Sequence, residues 1–191
     1  MSVTQTLAFK PATVVLMLLM AVTRFNHFGS AISLPDASLA VFFLAGLWIG
    51  GAYLFVSLLL EAGLIDYLAI SQLGVSDFCI SQAYVFLIPT YGVMYLGGKW
   101  CSQFTTLSLA NAIKQIVALV AATSTAFLVS NGSFFLFSGR YPEVLWSRYI
   151  DSFAMYYPPY LTSTLIYGIG VFGFAYALKS LQATKNTHEA I

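Results

Sequence analysis

Ala37-Ser-Leu-Ala-Val-Phe-Phe-Leu-Ala-Gly46-Leu-Trp-Ile-Gly50-Gly51-Ala-Tyr-Leu-Phe-Val-Ser-Leu-Leu-Leu60 holds no charged residue over its whole length. It reads either as one long helix or as two helices joined by a tight turn at Gly50-Gly51. A glycine pair breaks a helix, and apolar sequence resumes after Glu61, so two helices are expected. The first ends near Ile49. The second starts at Ala52 and carries Glu61 and Asp66 toward its far end.

The same pattern extends outward. Residues 78–98, 115–139 and 152–178 are also free of charge, and 11–23 form a shorter run. The whole chain of 191 residues carries 15 charges, 8 basic and 7 acidic. A soluble chain of this length carries roughly 45–50. With 59% hydrophobic residues and a mean hydropathy of +0.83, the chain lacks the polar surface a soluble enzyme needs. A net charge of +1 removes the electrostatic basis for nucleic-acid binding. The class this leaves is an all-α, polytopic membrane protein forming a single transmembrane domain over 1–191. Six transmembrane helices are expected, at about 9–25, 36–50, 52–71, 79–98, 106–130 and 155–180.

Six spans put both termini on one side. Lys10, Lys99, Lys114, Lys179 and Lys185 fall on that side, and Arg24, Arg140 and Arg148 on the other. The excess of basic residues in short loops marks the cytoplasmic face, so both termini are expected in the cytoplasm. Asp36, Asp77, Glu143 and Asp151 then lie outside. Lys10 before an apolar stretch mimics a signal peptide, but no small-residue cleavage site follows, so a first span is expected. No glycine-rich phosphate loop is present, and no nucleotide cofactor is expected.

The outer ends hold the residues with chemistry. Cys79 is expected in the first turn of the fourth span, after Ser76 and Asp77, which can cap that helix. A helix N-terminus favours thiolate, while Asp77 opposes it. Cys79 also fits as a small buried hydrophobe. His27 lies in the first outer loop, where a solvated or capping role is the plain alternative. Asp66 sits near a helix end, and acids inside membrane spans are candidates for function. Tyr84, five residues beyond Cys79, can reach the same cavity. The stretch from Phe134 to Asp151 reads as a long aromatic outer loop, suited to a lid or to an interfacial belt. Cys79 and His27 do not make a zinc motif. A metal arriving inside a macrocycle needs only one protein donor, and cobalt in a corrin ring fits that need.

Arg24-Phe-Asn-His27-Phe-Gly, Leu34-Pro-Asp-Ala-Ser-Leu-Ala-Val-Phe-Phe-Leu-Ala-Gly46 and Cys79 together carry a family likeness. Over nearly its full length the chain resembles the BtuM family, small cobalamin (vitamin B12) transport proteins of the bacterial inner membrane. These are similar to the substrate-binding S components of energy-coupling-factor (ECF) transporters. The resemblance implies an S-component-like bundle with cobalamin as transported ligand in an outer-facing cavity. It implies Cys79 as axial cobalt ligand, with His27, Asp66 and Tyr84 lining the pocket. It also implies a base-off corrinoid. The soluble corrinoid motif Asp-x-His-x-x-Gly is absent, since Phe25 and Ser30 stand at its Asp and Gly positions. The small residues by which S components dock are reduced to Ala8 and Ala12, interrupted by Lys10 and Pro11, which argues against a dedicated ATPase module.

The expected function is cobalamin uptake across the bacterial inner membrane, with the lipid bilayer and cobalamin as partners and no nucleic acid. A thiolate on cobalt also suits displacement of cyanide, so Cys79 is the candidate catalytic residue for decyanation of cyanocobalamin. Two alternatives stay open. One is an S component for another vitamin or a metal ion. The other is an intramembrane thiol enzyme using Cys79 and His27.

Overall fold

The computed structural model describes residues 11–26, 34–78, 80–104, 106, 108–141, 143 and 145–189; for 25, 26, 175, 176 and 178–189 it describes the backbone alone. His27 and Cys79 lie outside the described residues. The chain is helical throughout its described elements. These are α1 (Pro11–Asn26), α2 (Ser38–Trp48), α3 (Ala52–Leu73), a 3-10 helix (Gln82–Phe86) running directly into α4 (Leu87–Cys101), α5 (Leu109–Phe137) and α6 (Trp146–Glu189).

The Gly50-Gly51 break is present. Both glycines have positive φ, 68° and 97°, a region that side chains with a Cβ rarely enter. Ile49 and Gly50 donate backbone N–H groups to Ala45 O at 3.1 and 2.9 Å, closing α2. Tyr95 Oη then donates to Gly51 O at 3.0 Å and ties the turn to α4. At the far end of α3, Gly74 is left-handed with φ 65°, and Val75 N–H bonds back to Ala69 O at 3.3 Å. A left-handed glycine of this kind commonly ends a helix.

The core is built around α2. Every residue from Ser38 to Leu47 is buried. A helix apolar on all sides is covered on all sides, and α2 packs against α1, α3, α4 and α6. Its tightest partner is α4. A Cβ added at Gly46 would fall on the carbonyl oxygen of Tyr95, and one at Gly98 on that of Phe43. The two backbones touch because neither position carries a side chain. Phe42 stacks on Tyr91 beside this crossing, with centroids 4.2 Å apart.

Two helices, α3 and α5, are long and apolar enough to cross a membrane. By contrast, α2 is about 16 Å long, half the hydrocarbon thickness of about 30 Å. The exposed face of α3 is itself apolar. Tyr53 (84% exposed), Val56, Leu60 (70%), Leu64 and Tyr67 recur every three or four residues along one stripe.

One expected feature is corrected. The loop expected from Phe134 to Asp151 is helical at both ends. α5 continues to Phe137 and α6 begins at Trp146, leaving only residues 138–145 as connection. Its aromatics pack on one another. Phe135 meets Tyr141 at 4.7 Å and Tyr149 at 5.3 Å, and Trp146 lies edge-on to Tyr149 at 6.0 Å. Mutual ring packing rewards continuing both helices over an extended lid.

Candidate functional site

A buried polar cluster occupies the end of the bundle where α1 and α3 finish and α2 and the 3-10 helix begin. Its centre is Arg24, 6% exposed in the last turn of α1. Its Nε donates to Asp66 Oδ1 at 2.7 Å and its Nη2 to Asp66 Oδ2 at 2.6 Å. This is the two-pronged geometry that a planar guanidinium makes with a carboxylate. The remaining nitrogen, Nη1, donates to Tyr91 Oη at 2.8 Å, Ser38 Oγ at 3.0 Å and Asp36 Oδ2 at 3.3 Å. One guanidinium therefore faces two carboxylates and two hydroxyls from four different segments.

Local sequence explains each position. Asp36 folds back on the start of α2, its Oδ1 accepting from Ser38 N–H at 2.9 Å and from Ser38 Oγ at 2.6 Å. Thr23 Oγ1, one residue before Arg24, accepts from Ala37 N–H at 3.2 Å and donates to Leu19 O at 2.8 Å. The entry to α2 is thus clamped onto the end of α1. Asp66 is 6% exposed, about two turns before the end of α3. A buried carboxylate without partners is costly, and Asp66 has three charge-assisted or hydroxyl bonds. The third comes from Tyr84, whose Oη donates to Asp66 Oδ2 at 2.8 Å.

Among the sequence-derived candidates, Asp66 and Tyr84 are therefore brought into contact. Their oxygens meet at 2.8 Å beside the Arg24 guanidinium inside the bundle. Arg24, Asp36, Ser38 and Tyr91 complete the cluster and were not singled out from sequence as site residues. The legible signal was Arg24 itself, a charge ending an apolar span, which calls for a partner on a neighbouring helix.

Cys79 and His27 border this cluster in the chain. Residue 79 lies between the Asp66-bearing α3 and Tyr84. The helix after it is capped by Ser81, whose Oγ accepts from Ala83 N–H at 3.3 Å. Ser76 and Asp77 do not cap it. They form a turn of their own, with Phe78 N–H on Ser76 Oγ at 3.2 Å and Ile80 N–H on Asp77 O at 2.8 Å. Helical structure here starts at Gln82, and the expected place of the Cys79 thiol lies outside the described residues. Phe78 is half exposed, packs on Phe134 at 5.7 Å and lies 4.8 Å beneath the Arg140 guanidinium. Cation and ring attract at that distance.

Replacing Tyr84 by Phe removes one hydrogen bond to a buried carboxylate. The expected loss is about 1.5–3 kcal/mol, read as a lower unfolding temperature of the detergent-purified protein. No change would mean that Arg24 alone satisfies Asp66.

Among the described residues, no three His, Cys, Asp or Glu side chains are grouped as a metal set. No known family model matches the chain, and no curated protein does.

Proposed function

We propose that this chain is a multi-span protein of the bacterial inner membrane that takes up cobalamin, with Cys79 as donor to cobalt. The family resemblance motivates the ligand. The observation that carries the reading is the Arg24–Asp66–Tyr84 linkage. It ties α3 to the 3-10 helix, the two elements between which Cys79 falls in the sequence. Preorganising the segment that carries a donor lowers the cost of binding. His27 follows directly on α1, whose last turn is fixed by the same guanidinium.

Membrane insertion is supported by the apolar stripe from Tyr53 to Tyr67 on α3, which is unfavourable against water and suited to lipid. In this reading the six helices form one S-component-like bundle, with α2 enclosed by its neighbours. Both termini face the cytoplasm, and the cluster end faces outward. A corrin ring supplies four nitrogens, so one thiolate suffices for capture. When the cargo is cyanocobalamin, the thiolate sulfur donates its lone pair to cobalt and cyanide departs with the Co–C bonding pair. Cobalt keeps its oxidation state in that exchange.

The test is uptake by a bacterial strain that needs external cobalamin and lacks its own transporter. Expression of the chain is expected to restore growth at limiting cobalamin, and Cys79→Ser to abolish the restoration. Failure of the wild-type chain, though present in the membrane, would point to another vitamin or to a metal ion as cargo.

A further inference from the structure

We propose that the groove between α4 and α5 holds an anionic phospholipid, with an acyl chain along the groove and the phosphate at Lys114. This rests on the membrane reading above. The groove has a volume of about 540 Å3, within the range of roughly 300–1,000 Å3 typical of small-molecule sites. It runs from Trp100 up to Val93 on α4 and from Lys114 up to Thr125 on α5. Those eleven steps along α5 correspond to about 16 Å, enough for much of one acyl chain. It exists because its floor is made of small residues. A Cβ at Gly97 would stand 3.0 Å from that of Ala122, so the helices approach closely there and no side chain fills the space above. The walls are apolar along their length. Thr125 turns its hydroxyl into its own helix, donating to Ala121 O at 2.9 Å.

The mouth differs from the walls. Lys114 Nζ lies 5.1 Å above the ring of Phe104, which meets Trp100 edge-on at 5.0 Å. Lys99 precedes Trp100 and is exposed. No Asp or Glu occurs between residues 78 and 142, so the α4–α5 hairpin brings two lysines and no acid of its own. Among the described residues no carboxylate pairs with Lys114. A cation flanked by an amphipathic indole at the open end of an apolar groove fits a phosphate head attached to a hydrocarbon tail. A choline head group would set a second cation against the same lysines. An apolar partner helix would fill the groove but leave the lysines without an anion.

The chain purified in detergent is titrated with phosphatidylglycerol and, separately, with phosphatidylcholine of the same acyl chains. Bound lipid is counted by native mass spectrometry and stability read from thermal unfolding. Phosphatidylglycerol is expected to bind about tenfold more tightly and to raise the unfolding temperature further. Lys114→Gln should erase the difference, while Ala121→Phe, which fills the groove, should lower retention of both lipids. Equal retention of the two lipids, or a preference that survives Lys114→Gln, would overturn the proposal. So would a second copy of the chain cross-linking through a cysteine placed at Val117. Recovery of the chain from the aqueous fraction would instead overturn the membrane reading itself.

Discussion

Replacing Arg24 by Ala is expected to lower stability by about 3–5 kcal/mol. The guanidinium makes two short bonds to Asp66 and reaches Tyr91, Ser38 and Asp36. Asp66 is enclosed at 6% exposure, and without Arg24 its charge keeps only the Tyr84 hydroxyl. The cost comes mainly from that stranded carboxylate, because a buried ion pair taken as a whole contributes little net stability. The double variant Arg24→Met with Asp66→Leu is therefore expected to regain much of the loss. A double-mutant cycle by thermal unfolding in detergent measures the coupling directly. A loss below about 1 kcal/mol for Arg24→Ala would show that the pair is open to water.

The second large effect is expected at the α2–α4 crossing. Gly98→Leu places its Cβ on the Phe43 carbonyl oxygen, and the obstacle is backbone, which cannot rotate aside. Overpacking typically costs about 1–3 kcal/mol, and a backbone collision belongs at or beyond the upper end. Even Gly98→Ala and Gly46→Ala should destabilise clearly, since each needs the helices to separate. Gly63 in α3 is the control. A Cβ there meets nothing within 4 Å, so Gly63→Ala should be neutral or stabilising by roughly 0.5–1 kcal/mol. If all three alanine variants behave alike, the close crossing is not a determinant of the fold.

Much of the helical plan was readable from charge spacing and glycine. The break at Gly50-Gly51 followed from two glycines between apolar runs, and positive φ at both is the physical reason. Two features were not readable. The continuation of α5 to Phe137 and the early start of α6 at Trp146 depend on ring contacts between Phe135, Tyr141 and Tyr149, which are tertiary. Local sequence there, with Gly139, Pro142 and several polar residues, resembles a longer loop. The start of the helix at Gln82 was likewise hidden, because Ser76, Asp77 and Ser81 are all good capping residues. Only the observed bonds separate the turn at 76–80 from the cap at 81.

The polar cluster was half legible. Asp66 stood out as an acid near the end of an apolar span, and Tyr84 as a long side chain within reach. Their connection through Arg24 was not visible, since Arg24 and Asp66 are 42 residues apart and pair only once α1 lies against α3. The same contact changes the role of both candidates. Asp66 Oδ1 and Oδ2 both accept hydrogen bonds inside the bundle. They tie α3 to the 3-10 helix that leads into α4.

The direct test of cobalt ligation by Cys79 is the visible spectrum of cobalamin bound to the purified protein, wild type beside Cys79→Ser. The wild-type protein should give a coloured preparation, with corrin bands shifted from free cobalamin by a sulfur donor and a displaced benzimidazole. Cys79→Ser should lose that shift, and Arg24→Met should weaken binding while any bound fraction keeps it. Identical spectra for wild type and Cys79→Ser would remove the thiol from the cobalt and contradict the account.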